Sequence, residues 1–236
     1  MKFTITGNHR QYFRENERIE FEGLLSEEEL THFKAAVGGV LAERLGISYD
    51  VGLKQPATKF FEFGRDLWRD SSDVKKITCQ RRFGEIAYQL IDKKPLRLGY
   101  DQYLPPISKS ASQIQSTYAD FLQTPASLEE ISSLRGLACG WLLCLSAGAE
   151  PLSFSSDEKF DFPIVPGNAV FLSPKAKIDF PKALLNSELS YYMIVYTSAK
   201  GVYIANEGDT HPRAWKKLGY NIGDRLSDKL NPIIYR

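Results

Sequence analysis

The stretch Leu96-Arg97-Leu98-Gly99-Tyr100-Asp101-Gln102-Tyr103-Leu104-Pro105-Pro106 decides the fold class. Leu96, Leu98, Tyr100, Gln102 and Leu104 alternate with Arg97, Gly99, Asp101 and Tyr103, the period of a strand with one buried face. Pro105-Pro106 ends it, because proline cannot donate to a ladder. Downstream, residues 136–145, 169–172 and 191–197 read as further strands, separated by segments rich in Pro, Gly, Asn and Asp.

Upstream the period lengthens. In Leu25-Ser26-Glu27-Glu28-Glu29-Leu30, Ser26 can cap the amide of Glu29 while the Glu29 carboxylate reaches back, and Leu25 can staple onto Leu30. Leu30, Phe33, Val37, Leu41 and Leu45 follow at helical spacing, and Gly46 is a natural stop. A second helix is expected after Ser71-Ser72-Asp73, with Val74, Ile77, Ile86, Leu90 and Ile91 as its apolar stripe and Pro95 as its limit. Lys75, Lys76, Arg81 and Arg82 give it a basic face, ordinarily a solvated one. Helices ahead of a β-rich second half predict an α+β domain whose strands close into a barrel or double sheet. It is expected as one domain over residues 1–236, helix-rich in 1–95 and strand-rich in 96–236.

The chain of 236 residues is 43% hydrophobic and 25% charged, which excludes disordered and fibrous classes. Thirty Lys+Arg against twenty-nine Asp+Glu leave a net charge of +1, so no bulk attraction draws it to nucleic acid or anionic membrane. Residues 1–22 hold no continuous apolar run of the roughly 7–15 residues a secretory signal needs. No segment reaches the roughly 20 apolar residues of a membrane span. A cytoplasmic protein is expected. Cys79, Cys139 and Cys144 are odd in number with no Cys-x-x-Cys pair, which argues against a disulfide framework or a zinc knuckle. Cys139 and Cys144 read as small buried hydrophobes.

Several segments together resemble the phytanoyl-CoA dioxygenase-like group of the Fe(II)/2-oxoglutarate-dependent dioxygenases. They are residues 21–30, Gly64-Arg65-Asp66-Leu67-Trp68-Arg69, Tyr100-Asp101-Gln102-Tyr103-Leu104-Pro105-Pro106 and Val165-Pro166-Gly167-Asn168-Ala169-Val170-Phe171-Leu172. In the tail they are Gly208-Asp209-Thr210-His211-Pro212, Leu218-Gly219-Tyr220, Gly223-Asp224-Arg225-Leu226 and Asn231-Pro232. The resemblance covers about residues 17–236 and implies a double-stranded β-helix, a jelly-roll barrel flanked by N-terminal helices. It also implies an iron held by two histidines and one carboxylate, the first pair as His-x-Asp/Glu, and an Arg that grips 2-oxoglutarate.

This chain departs from that pattern. Its three histidines are His9, His32 and His211, so none lies between Phe33 and Thr210, and His-x-Asp/Glu occurs nowhere. The place of the second His falls in Pro174-Lys175-Ala176-Lys177-Ile178-Asp179, and residues 187–196 supply no Arg. The sequence therefore predicts a degenerate active site, no bound Fe(II) or 2-oxoglutarate, and a binding or regulatory role toward a small molecule or protein. Lys175 and Lys177 would place positive charge at the mouth of the inherited pocket, lined by Gln102, Tyr103, Trp141, Lys175 and Lys177. Two alternatives stay open: an enzyme with an unorthodox metal, for which Asp101, Asp120 and Asp161 are the carboxylates at hand, and a metal-responsive DNA-binding regulator using the basic helix. No Gly-x-Ser-x-Gly, phosphate loop or dinucleotide fingerprint is present.

Overall fold

Six strands form one antiparallel sheet in the computed structural model, which describes residues 4–47, 56–107, 125–147, 162–184 and 189–236. In chain order they are β1 (Arg18–Phe21), β2 (Leu96–Leu104), β3 (Leu134–Ser146), β4 (Ala169–Leu172), β5 (Ser190–Tyr203) and β6 (Ile233–Tyr235). They lie side by side as β1-β4-β3-β5-β2-β6. Alternating residues face two cores. Phe21, Leu98, Trp141, Phe171 and Ile194 meet the helices, and Tyr100, Leu142, Val170, Met193 and Val195 face an inner core with Leu128, Ile131, Phe180, Trp215 and Leu226.

The helix layer begins with α1 (Gly7–Asn16), capped by Thr6 and His9 in a reciprocal pair. Then comes α2 (Glu27–Leu45), where Ser26 and Glu29 form the expected capping box and Gly46 turns left-handed. Leu30, Phe33, Val37, Val40 and Leu41 are its buried face. A short helix, α3 (Ala57–Phe63), precedes a 3-10 turn at Leu67–Arg69.

The single helix expected after Ser71 is two: α4 (Ser72–Thr78) and α5 (Arg81–Ile91), separated at Gln80, whose backbone is extended. The cause is in the stripe. At 100° per residue, Val74 and Ile77 would lie opposite Phe83, Ile86 and Leu90 on one continuous helix, and the break lets both sets reach the core.

Strand β2 also differs from its period-two reading. Its ladder to β5 pairs Leu98 with Tyr196 and Tyr100 with Val195, so Gly99 is an extra, bulged residue. Leu96 and Leu98 face the helices, whereas Tyr100 and Leu104 face the inner core. A Cβ on Gly99 would stand 2.9 Å from the Val195 carbonyl oxygen. The Asn231 side-chain amide donates to the Leu98 and Gly99 carbonyls at 3.1 and 2.7 Å, docking the C-terminal segment on the bulge.

Candidate functional site

Residues 64–66 run beside β2 and are fixed from both sides. Arg65 bridges to Gln102, the Tyr103 amide donates to the Gly64 carbonyl at 2.8 Å, and the Asp66 amide donates to the Asp101 carbonyl at 3.1 Å. From α2, Arg44 donates to the carbonyls of Phe63, Arg65 and Asp66 at 2.7, 2.6 and 3.1 Å. Gly64 is required here, since a Cβ would lie 2.6 Å from the Phe60 carbonyl.

On the inner side Arg65 lies flat on Tyr100, its guanidinium carbon 3.3 Å from the ring centroid, with 7% of the residue exposed. Arg65 Nη2 is 3.8 Å from Asp209 Oδ2. That carboxylate is already engaged, accepting from the amides of Ser133 and His211 at 2.9 Å each. The His211 ring packs against Phe61, centroids 5.1 Å apart, and its Nδ1 is 3.0 Å from the Thr210 hydroxyl. Burial, then the Arg65 charge, push the His211 imidazole down to about 4, so it is neutral at pH 7. Gln102 is 1% exposed and its amide donates to the carbonyls of Phe61 and Tyr103 at 2.9 Å each. Arg65 Nε, Arg65 Nη2 and Gln102 Oε1 have no hydrogen-bond partner, whereas the His211 ring has the backbone of Phe61 and Glu62 beside it.

The helix side is arranged differently. Asp101 accepts from the amides of Leu67 and Trp68 at 2.8 and 3.1 Å, closing the 3-10 turn. Asp66, left-handed at φ 57°, lies in the same turn. Burial, then the Asp66 carboxyl, raise the Asp101 carboxyl to about 7.

Of the five expected pocket residues, only Gln102 joins this cluster. Tyr103 packs on the helix side against Phe60. Trp141 is buried there between Phe83 and Phe171. Lys175 and Lys177 are exposed, and Lys177 pairs with Glu130. The three histidines occupy separate places: His9 caps α1, His32 is exposed on α2, and His211 is in the cluster. Asp101 is committed to the turn, while Asp120 and Asp161 fall outside the described residues. Among the described residues no three His, Cys, Asp or Glu side chains come together as a metal site, and no helix is long and apolar enough to cross a membrane. Of the basic residues, Lys76 pairs with Asp73 and Arg82 with Glu29. Burial pushes the thiols of Cys79, Cys139 and Cys144 up to about 11, 12 and 12, so none is a ready nucleophile. The closeness of Asp209 and His211 in sequence predicts a loop hydrogen bond between them, and the His211 amide does donate to Asp209, whereas nothing in the sequence spacing of Arg65 and Asp209 records that those two meet.

No protein-family model and no curated protein matches the chain. Solved structures do. The non-heme alpha ketoglutarate dependent carbocyclase SnoK from nogalamycin biosynthesis aligns with a TM-score of 0.65 at 17% identity, over 97% of this chain and 96% of that one. The epimerase SnoN of the same biosynthesis aligns at 0.62 and 14%, over 96% and 97%. EctD from S. alaskensis, with 2-oxoglutarate and 5-hydroxyectoine, aligns at 0.56 and 11%, over 98% and 87%. The fold is theirs. It is an α+β double-stranded β-helix with flanking helices, as the sequence leads one to expect.

Proposed function

We propose that this chain is a non-catalytic binding or regulatory protein of the cytoplasm, built on the fold of the Fe(II)/2-oxoglutarate oxygenases and acting on a small molecule or protein. One observation carries the reading: no histidine lies between Phe33 and Thr210, the stretch that spans β2 to β5. A facial ferrous site needs two neutral imidazoles and a carboxylate on one side of the metal. The residues present do not fit that group. The His211 imidazole feels the positive charge of Arg65, which also repels a cation, and Asp101 is held by two amides on the opposite face of the sheet. Lys177, near the second-histidine position, is turned outward to Glu130. Fold alone confers no activity, so the alpha ketoglutarate dependence in the names of SnoK and SnoN is a property of those proteins and is not carried to this chain.

The test is anaerobic calorimetry with Fe(II), followed by an assay for succinate from 2-oxoglutarate in air. No stoichiometric iron binding and no succinate above the protein-free control are expected. One iron per chain together with succinate formation would overturn the reading.

A further inference from the structure

An open cleft of about 400 Å³ lies beside the end of β5, a volume in the range of small-molecule sites. Its floor is Tyr203 with Ser133, both buried. One wall comes from Ala205, Asn206 and Glu207, the other from Pro212 and Lys216, and Ile222 stands 59% exposed at the rim.

Hydrogen bonds hold each part in place. The Asn206 side-chain amide donates to the carbonyls of Glu129, Glu130 and Ser132 at 3.1, 3.1 and 2.8 Å, and its Oδ1 accepts from the Gly208 amide at 2.9 Å. The Tyr203 hydroxyl donates to the Pro212 carbonyl at 3.3 Å. On the rim side, the Gly223 amide donates to the Tyr203 carbonyl at 2.8 Å, and the Tyr203 amide donates to the Asp224 carbonyl at 2.9 Å. The cleft is therefore formed before anything enters it, which lowers the ordering cost of binding.

Those bonds also decide what the cleft has left to offer. The polar groups of Asn206 and Tyr203 are spent on the walls themselves. What remains is apolar surface from Ala205, Pro212 and Ile222, and two exposed ions of opposite sign, Glu207 on one wall and Lys216 on the other. Among the described residues neither ion has an ion-pair partner, so the two do not neutralise each other. An occupant with one charge satisfies one wall and is repelled by the other. One that carries both signs, at opposite ends of an apolar body, complements both.

We propose, resting on the binding-protein reading above, that this cleft holds a small aliphatic zwitterion with separated charges. Its ammonium meets Glu207, its carboxylate meets Lys216, and its body lies on Ala205, Pro212 and Ile222.

The test titrates metal-free protein with 6-aminohexanoate and follows the backbone amides of Ala205, Asn206 and Glu207 by NMR. Hexanoate and hexylamine, each with one of the two charges, and leucine, an isomer with its charges adjacent, are titrated in parallel. The zwitterion is expected to shift these amides saturably, with a Kd in the low-millimolar range. Hexanoate, hexylamine and leucine should each bind about fivefold more weakly, the upper end of what one exposed ion pair supplies. Lys216→Met should bring 6-aminohexanoate down to the level of hexylamine, and Glu207→Gln down to that of hexanoate. No saturable response, or any of the three relatives binding as tightly as 6-aminohexanoate, overturns the proposal. The wild-type titrations decide the matter even if a substituted chain fails to fold. A negative result leaves the non-catalytic reading standing, since the sample holds no iron, whereas succinate in the iron assay sinks that reading and leaves the cleft as it is.

Discussion

The two sides of β2 bury charge in opposite ways. On the helix side, Asp101 has each carboxylate oxygen occupied by a backbone amide, and the result is a joint that closes the turn at Leu67–Arg69. On the inner side, Arg65 is stacked on Tyr100 and only loosely balanced by Asp209, so two of its donors remain idle. A buried ion whose hydrogen bonds are all taken is structural. The other leaves two guanidinium N–H groups without an acceptor.

Removing an acid from each side is the most severe way to break that comparison. Asp209→Ala strips the counter-charge from a buried guanidinium and two amides of their acceptor, and should cost about 3–5 kcal/mol in chemical denaturation. A loss under about 1 kcal/mol would show that Arg65 does not depend on Asp209. Asp101→Ala at pH 8 also abandons two amides, but it relieves repulsion with Asp66, and a smaller loss of about 2 kcal/mol is expected. The pH dependence sharpens the contrast. The folded Asp101 carboxyl sits near 7 against an ordinary 3.8, so the native state holds this proton more tightly than the unfolded one. That contribution is full below the ordinary value and is lost as pH rises through 7. The native protein should therefore lose stability across this window relative to Asp101→Asn, and parallel profiles for the two would show that Asp101 does not titrate there. The smallest expected effect is Gly99→Ala, about 1–2 kcal/mol by denaturation, because the new methyl meets the Val195 carbonyl at 2.9 Å.

Much of the fold was legible because its causes are local. The Ser26/Glu29 box and the Gly46 stop need only a few neighbouring residues, and both form as expected. The break between α4 and α5 was also written in the stripe angles, although the presence of apolar residues on both sides suggested continuity. The shift of face within β2 was not legible. It depends on Asn231, which reaches the Gly99 bulge from the far end of the chain. The site divides in the same way. Gln102 could be singled out from its strand, but its partnership with Arg65 and His211 arises only when three distant segments fold together. Trp141 was an aromatic residue on a strand, and which core it entered was set by Phe83 and Phe171.

Gly99 has one more consequence, in the currency of insertions and deletions. It is a spare link in the ladder: a chain lacking it would keep Leu98 toward the helices and Tyr100 toward the interior, and β2 would zip to β5 without interruption. The tidier sheet would no longer present two adjacent carbonyls to Asn231, so the tail would lose those two bonds and rest on the β2–β6 pairing and on Arg97, which reaches the Asn231 carbonyl and Asp228. In this molecule, smoothing the sheet and loosening the C-terminus are a single genetic event.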